Sequence, residues 1–442
     1  MRLLLWLLLC VVLTIVAGPR RRQGLLLLVL ALWLTIPWIA SDVITGISPV
    51  SRSSLPSMHP ASWLVLVLSC YVFSSQLGAV FLAVRTRLTE FLLVGLFVAI
   101  CVLVTVVQTG GRGLMSIIYL VALPACYCVL VLLEAQRDAG FVKRIRTLLL
   151  VVASCQAMLG IVQRATGAVF FFGTEYARYS WWSGNLQRAI GTTDHPLMLS
   201  LLLVSVMPLT LSIERSATRF ATQLLFLGGV LATGSRVGLV VGTGIVVVLL
   251  VRSRMHYLTR GLFSVALLVL MTLVFSGTIL PDALDRFTND AGSNRVRYLA
   301  YALFLKEISN HLFLGGGASS SYGVLESAGL STSFESTFMI YAVDFGVLAT
   351  VMYFSAILSI GLRGIARRPT VIPGACGAFL VVLAVIQSYS GGAIQSSAAS
   401  LLWTMAAIAA VRASDQDPIA LDAFAGHPNT NSGGDYGDDS GK

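Results

Sequence analysis

Polar and apolar positions along this chain do not alternate. Apolar residues form nearly unbroken runs, many of about 17–25 residues, the length of helix that crosses a bilayer core. The runs lie at residues 3–17, 24–40, 61–84, 91–107, 114–133, 147–163, 197–213, 220–234, 237–251, 261–277, 338–361, 371–390 and 394–411. Strands of a membrane barrel would show a two-residue alternation, which these runs lack. The pattern predicts an all-α, polytopic transmembrane helical bundle over 1–411, with about 12–13 helices, of which the first and last are the weakest. No internal repeat and no symmetric pair of broken helices is evident.

Composition makes lipid the natural solvent. The 442 residues are 56% hydrophobic and only 11% charged, against roughly 25% charged in a soluble domain. A net charge of +10 could suggest nucleic acid, but most Lys and Arg fall in short segments between apolar runs, where they orient helices. Nucleic-acid binding is therefore not expected. The seven cysteines lie in or beside apolar runs without metal spacing, and they read as small core residues rather than disulfides or metal ligands. Met1–Gly18 lacks a small-x-small cleavage site and is followed by a further apolar run, so it reads as a retained first helix.

The basic residues set an expected orientation. Arg20, Arg21 and Arg22; Arg85 and Arg87; Arg137, Lys143, Arg144 and Arg146; Arg215 and Arg219; Arg252, Arg254 and Arg260; and Arg363, Arg367 and Arg368 fall in alternate loops. That set should face the cytoplasm. The two long segments at about 164–196 and 278–337 should face outside. The acidic, Gly/Ser-rich tail at 412–442 reads as disordered and cytoplasmic. Within the longer outer segment, Asn294 to Asn310 reads as a helix, lying on the membrane or packed on the soluble side. Gly315, Gly316 and Gly317 then break it.

Charge beside lipid is expensive and needs a reason. Arg236 sits in Thr233-Gly234-Ser235-Arg236, where two apolar runs meet almost without a loop. It is either a snorkelling anchor or an anion ligand. Arg188, Arg295 and Arg297 fall on the same expected side, and guanidinium groups grip phosphate oxygens through paired hydrogen bonds. Headgroup contact is the alternative. Glu335 opens an apolar run as a helix cap, a salt-bridge partner or a general base. Asp344 falls inside that run and needs a partner, such as an arginine. Asp194-His195-Pro196 precedes another run, where a histidine caps or packs more often than it catalyses. Trp181, Trp182, Tyr176 and Tyr179 suit an interfacial belt or a sugar-stacking surface. No P-loop, nucleophile elbow, zinc-protease or dinucleotide motif occurs.

Four segments in order resemble the O-antigen ligase and polysaccharide polymerase family of bacterial membrane proteins. They are Arg188 to Pro196 entering a helix; Thr233-Gly234-Ser235-Arg236; Arg297 through Asn310-His311-Leu312-Phe313-Leu314-Gly315-Gly316-Gly317; and Glu335-Ser336-Thr337-Phe338 through Asp344-Phe345-Gly346. The likeness covers about 185–350. It departs where ligases commonly place a histidine, occupied here by Glu335, and where the loop motif usually has a proline, occupied by Leu312. Since polymerases vary more at the histidine position, Glu335 tilts the reading toward a polymerase.

The resemblance implies a glycosyltransferase of the GT-C-like membrane type, in the bacterial cytoplasmic membrane with its active site outside. It implies transfer of a saccharide from a polyprenyl-pyrophosphate donor to a glycan or lipid-linked acceptor during cell-surface polysaccharide synthesis. Arg236, Arg297 and Glu335 would be catalytic, and Arg188, His195 and Arg295 would bind substrate. No cofactor or metal is implied. The expected partners are the lipid-linked donor, the acceptor, membrane lipids and other polysaccharide assembly proteins. A glycan or small-anion transporter, or an envelope scaffold, is the alternative class.

Overall fold

A computed structural model describes residues 1–47, 57–178, 188–252, 257–275, 291–330, 332–362 and 370–412. Trp181, Trp182, Tyr179, Arg254, Arg363, Arg367, Arg368 and the tail from 413 lie outside the described residues. Among those described, all regular structure is helical apart from an isolated antiparallel bridge between Thr370 and Arg412.

Helix α1, Arg2–Thr35, kinks at Gly18, whose φ of 51° only glycine adopts readily. Its partner α2 is Pro60–Ser75. His59 caps α2, its Nδ1 accepting from the Ala61 N–H at 3.1 Å, and Pro60 sits where a missing N–H costs nothing. The Trp6 indole donates to the Pro60 carbonyl at 3.2 Å, fastening the two helices at that end. Next come α3 (Leu88–Thr109), α4 (Leu123–Arg137) and α5 (Gly140–Thr166). Then follow α6 (Pro196–Val206), α7 (Ser216–Thr233), α8 (Arg236–Arg252) and α9 (Tyr257–Phe275). The segment between α9 and the closing helices holds α10 (Ala291–Glu307) and α11 (Ser320–Ser327). The chain closes with α12 (Thr337–Phe345), α13 (Val347–Leu362), α14 (Ala375–Val385) and α15 (Ser396–Ala410).

Every residue of α15 is buried. Its run of Ala and Ser lets α4, α13 and α14 approach closely around it, as small residues do in lipid. Side chains that face outward are Leu, Val and Ile in quantity, including Leu92, Leu96, Leu103 and Val107 on α3. Such a surface is stable only against lipid.

Three helical stretches are long and apolar enough to cross a membrane: Leu77–Thr109, Leu114–Arg137 and Gly140–Thr166. A fourth is the pair Arg21–Thr35 and Trp38–Thr45, bent by 102°. Several further apolar helices of 10–17 residues are shorter than a full span. Membrane character therefore stands, and among the described residues helix length alone supports fewer spans than the 12–13 read from hydropathy. The difference arises because single apolar runs contain backbone breaks. The run at 61–84 breaks at Gln76 (φ −139°, ψ 35°), and the run at 338–361 breaks at Gly346 (φ 104°, ψ 146°). The closing pair α14 and α15 is joined through a one-turn 3-10 helix at Ile386–Ser388 and a short helix at Gly391–Ile394. The apolar pattern already separates α14 from α15, whereas the break at Gly346 falls inside one run, because a single glycine lowers mean hydropathy little.

The break at Gln76 has a purpose at one end of the bundle. The Gln76 Oε1 accepts from Arg22 at 3.0 Å and from Arg137 at 2.8 Å. Glu134 pairs with the same two arginines, at 3.1 Å and 2.9 Å. Arg22 and Glu134 are each 1% exposed, so neither charge is solvated by water. Removing one member of a buried pair strands the other and costs about 3–5 kcal/mol. Glu134→Ala should therefore lower the melting temperature of the purified protein sharply. Arg144→Ala, which breaks the exposed pair with Asp138, should cost no more than about 1 kcal/mol. Equal melting temperatures for the two variants would contradict this.

Candidate active site

The opposite end of the bundle is built on the segment before α6. Two glutamines of α5 fix its backbone. The Gln163 side chain accepts from the N–H groups of Ile190 (3.2 Å) and Gly191 (2.7 Å) and donates to the Gly191 carbonyl (2.7 Å). Gln156 accepts from the Thr192 N–H at 2.9 Å and donates to the Leu34 carbonyl at 3.1 Å. His195 then caps α6, its Nδ1 accepting from the Leu197 N–H at 3.1 Å. Asp194 accepts from the Trp38 N–H and from the Ser397 hydroxyl (3.0 Å), tying the segment to α15.

This fixed strand of chain holds Arg188 against the turn between α7 and α8. The Ala189 N–H donates to the Ala232 carbonyl at 3.0 Å, and Arg188 Nε donates to the Thr233 carbonyl at 2.8 Å. Gly234, with φ of 63°, ends α7 in the left-handed region that favours glycine. Ser235 caps α8 by accepting from the Gly238 N–H at 3.1 Å. Arg236 is thereby the first residue of α8, at its positive dipole end. An anion there meets both the guanidinium and the helix terminus.

Helix α10 supplies the third cation. Arg297 pairs with Glu335 at 2.6 Å, and both side chains are partly exposed. Phe304 of α10 packs edge-on against Phe334 at 6.1 Å, fixing the helix beside the segment that carries Glu335. Of the three roles open to Glu335, helix capping falls instead to Ser336, whose hydroxyl accepts from the Met339 N–H at 3.4 Å. The salt bridge is the one observed.

Arg188, Arg236 and Arg297 line one cavity of about 110 Å³, together with Ser200, Gly234 and Tyr389 among others. No carboxylate contributes to its lining among the described residues. Two donors there are buried without a hydrogen-bond partner among the described residues: Arg297 Nε and the Ser200 hydroxyl. Native proteins rarely leave such groups unpaired, and a ligand oxygen would satisfy both. Arg295, although on the same helix, is exposed and is not part of the lining. His195 stands behind it, its ring stacked on Tyr389 with centroids 6.1 Å apart. Burial, with Arg188 nearby, pushes the His195 imidazole down to about 3, so it is neutral at physiological pH.

Tyr389, Ser388 and Ser200 are site residues that sequence reading missed. The signal for the first two was present, as the polar insertion Ser388-Tyr389-Ser390-Gly391-Gly392 between two apolar runs. Irregular backbone at membrane depth is tolerated where it lines a cavity. Ser200, inside an apolar helix, gave none. Asp344 finds its partner in a helix N-terminus rather than an arginine, accepting from the N–H groups of Ser321 (2.7 Å) and Ser319 (3.0 Å) and from the Ser320 hydroxyl (3.1 Å). The glycine run docks on the same break. Gly316 and Gly317 donate to the carbonyls of Val343 (3.0 Å) and Asp344 (2.8 Å), and a Cβ on Gly315 would strike the Asp344 backbone.

The described residues thus form a helical bundle with a lipid-compatible surface and an arginine-lined cavity at one end. Residues 221–354 match a family model described as O-antigen ligase. This segment is therefore similar to the O-antigen ligase family. It spans α7 to within α13, just under a third of the chain, and includes Arg236, Arg297, Glu335 and Asp344. Arg188 and His195 precede it. A search of curated proteins returns no match to this chain.

Asp194 gives the site a pH signature. Burial raises its carboxyl to about 6, against the opposing hydrogen bonds from Ser397 and the backbone of Trp38 and Ile39. The folded protein thus holds this proton more tightly than the unfolded chain. The contribution is fully present below the ordinary carboxylate range and is lost as pH rises through about 6. Asp194→Asn retains an acceptor for Trp38 and a polar partner for Ser397 but cannot ionise. Its melting temperature should rise relative to the parent between pH 4 and pH 7, by the equivalent of about 2–3 kcal/mol. A constant difference across that range would show that Asp194 does not titrate there.

Proposed function

We propose that the protein is a glycan polymerase or ligase that transfers a saccharide from a polyprenyl-pyrophosphate donor to a hydroxyl of a glycan or lipid-linked acceptor. The observation that carries this reading is the convergence of Arg188, Arg236 and Arg297 on one cavity from three separate parts of the chain. Guanidinium groups fixed around such a space suit a diphosphate, because each offers paired donors to phosphate oxygens.

The chemistry follows from charge. The acceptor oxygen forms a bond to the anomeric carbon as the bond from that carbon to the phosphate oxygen breaks. The electron pair leaves on the pyrophosphate. Its growing negative charge is stabilised by arginines already in place, which need not reorganise during the reaction. The acceptor proton passes to Glu335, which the Arg297 pairing holds beside the cavity, and then to water. The positive charge for the step comes from side chains, and the activated donor removes any need for a nucleotide sugar. Under the expected orientation the cavity opens outside the cytoplasmic membrane. Glu335 in place of the family histidine favours polymer growth over transfer to a lipid core.

A second reading, transport of a glycan or anion, draws on the broken helices α12–α13 and α14–α15, since discontinuous helices often mark transporter substrate sites. The two readings separate in cells. A polymerase defect leaves single lipid-linked repeat units on the outer leaflet, whereas a transport defect confines them to the inner leaflet.

Arg236→Ala or Arg297→Ala should each slow polymer growth by about 10²–10³-fold, as loss of a preorganised donor does, with membrane insertion unchanged. Normal polymer from either variant would contradict the assignment. Glu335→Gln should slow turnover by about 10²–10⁴-fold while donor binding persists. If donor binding fell in parallel, Glu335 would act only by positioning Arg297.

A further inference from the structure

A second cavity, of about 140 Å³, lies at the same end of the bundle. One wall begins at Ser116 and Ile117, just past the turn after α3 that the Ala318 N–H fastens by donating to Thr105 Oγ1 at 3.1 Å. The wall continues through a π-helical turn at Ile118–Ala122, an element that widens a helix locally and recurs at functional sites. The opposite wall is formed by α11 and α12. Trp38, Tyr119, Tyr322 and Tyr341 bring aromatic surface to the space, and Asp344 and Ser319 bring polar groups.

The two cavities share a partition. Tyr389 faces the arginine cavity, and Ala393 and Ile394, a few residues on, face the second. Helix α12 holds this partition, with Thr337 Oγ1 donating to the Tyr389 carbonyl and Tyr341 Oη to the Gly392 carbonyl, each at 3.3 Å. Glu335 stands two residues before Thr337, at the head of the same helix.

The lining restricts the occupant. An alkyl chain would remove solvent from the Asp344 carboxylate without offering it a donor, which is costly. A phosphate would meet that carboxylate with like charge. A neutral sugar ring does neither: its C–H faces lie against aromatic rings, and its hydroxyls donate to a carboxylate. Asp344 Oδ2 accepts from the Ser319 N–H at 3.0 Å, and a carboxylate oxygen has two lone pairs, so it retains acceptor capacity toward the cavity. We propose that this cavity binds a neutral saccharide ring of the acceptor glycan, with Tyr119 and Tyr322 as its walls and Asp344 as its hydroxyl acceptor. The ring would sit across the partition from the donor diphosphate, with Glu335 at the edge between them. This inference rests on the transferase reading for its role but not for its binding chemistry.

The test uses the full chain in lipid nanodiscs and, as probe, the neutral oligosaccharide released by mild acid from the host's lipid-linked pool. Binding is read directly, without turnover. Tyr119→Ala and Tyr322→Ala should each weaken oligosaccharide binding about tenfold or more, while binding of a short polyprenyl pyrophosphate is unchanged. Ser116→Phe, at the cavity wall, fills the space without removing a packing side chain and should abolish oligosaccharide binding. Undetectable binding to the parent protein, binding untouched by all three substitutions, or displacement of the probe by a long-chain alcohol would each overturn the proposal. Failure of the transferase reading shows separately, as normal polymer from Arg236→Ala with the oligosaccharide result unaltered.

Discussion

Like charges held together at the edge of a membrane repel, and their hydration is curtailed by the surrounding apolar side chains. Three arginines share one cavity here, so the surrounding structure must hold them there against that repulsion. The fixings are visible. Arg188 is bonded to the Thr233 carbonyl, Arg236 is committed as the first residue of α8, and Arg297 is tied to Glu335. Two donors in the cavity, Arg297 Nε and the Ser200 hydroxyl, have no partner among the described residues.

Much of the remaining architecture can be read as support for that arrangement. Gln156 and Gln163 freeze the segment ahead of α6, and Asp194 links it to the fully buried α15. The glycine run at 315–317 meets the break after α12 backbone to backbone, so the segment bearing Arg297 is docked onto the bundle rather than loosely tethered. The ion network of Arg22, Glu134, Arg137 and Gln76 performs the matching task at the far end. Polar chemistry is confined to the two ends, and apolar packing fills what lies between.

Hydropathy alone revealed the helical class and the lipid-facing character, because both depend on long-range composition. It also located the helix carrying Arg297, expected at Asn294 to Asn310 and found at Ala291–Glu307, from its aromatic and apolar spacing. The arginines Arg188, Arg236 and Arg297 were legible because charge beside apolar runs is conspicuous. Arg295 and His195 shared that signal yet lie outside the cavity lining, since two residues along a helix reverse a side chain's direction and a histidine before a proline can serve as a cap. Tyr389 lies in a polar insertion that the sequence does display, but only the tertiary fold shows that this insertion lines the cavity. Likewise nothing in the chain order announced that Asp344 would accept from Ser319 and Ser321, because that contact is made by tertiary docking.

Whether the three guanidinium groups together form a diphosphate site is decided by binding of farnesyl pyrophosphate, a short polyprenyl pyrophosphate, to the purified protein in nanodiscs, with inorganic pyrophosphate as competitor. A diphosphate site gives saturable binding that pyrophosphate displaces, that weakens as salt rises, and that vanishes when Arg188, Arg236 and Arg297 are all replaced by glutamine. Binding of equal strength in the triple variant would contradict it.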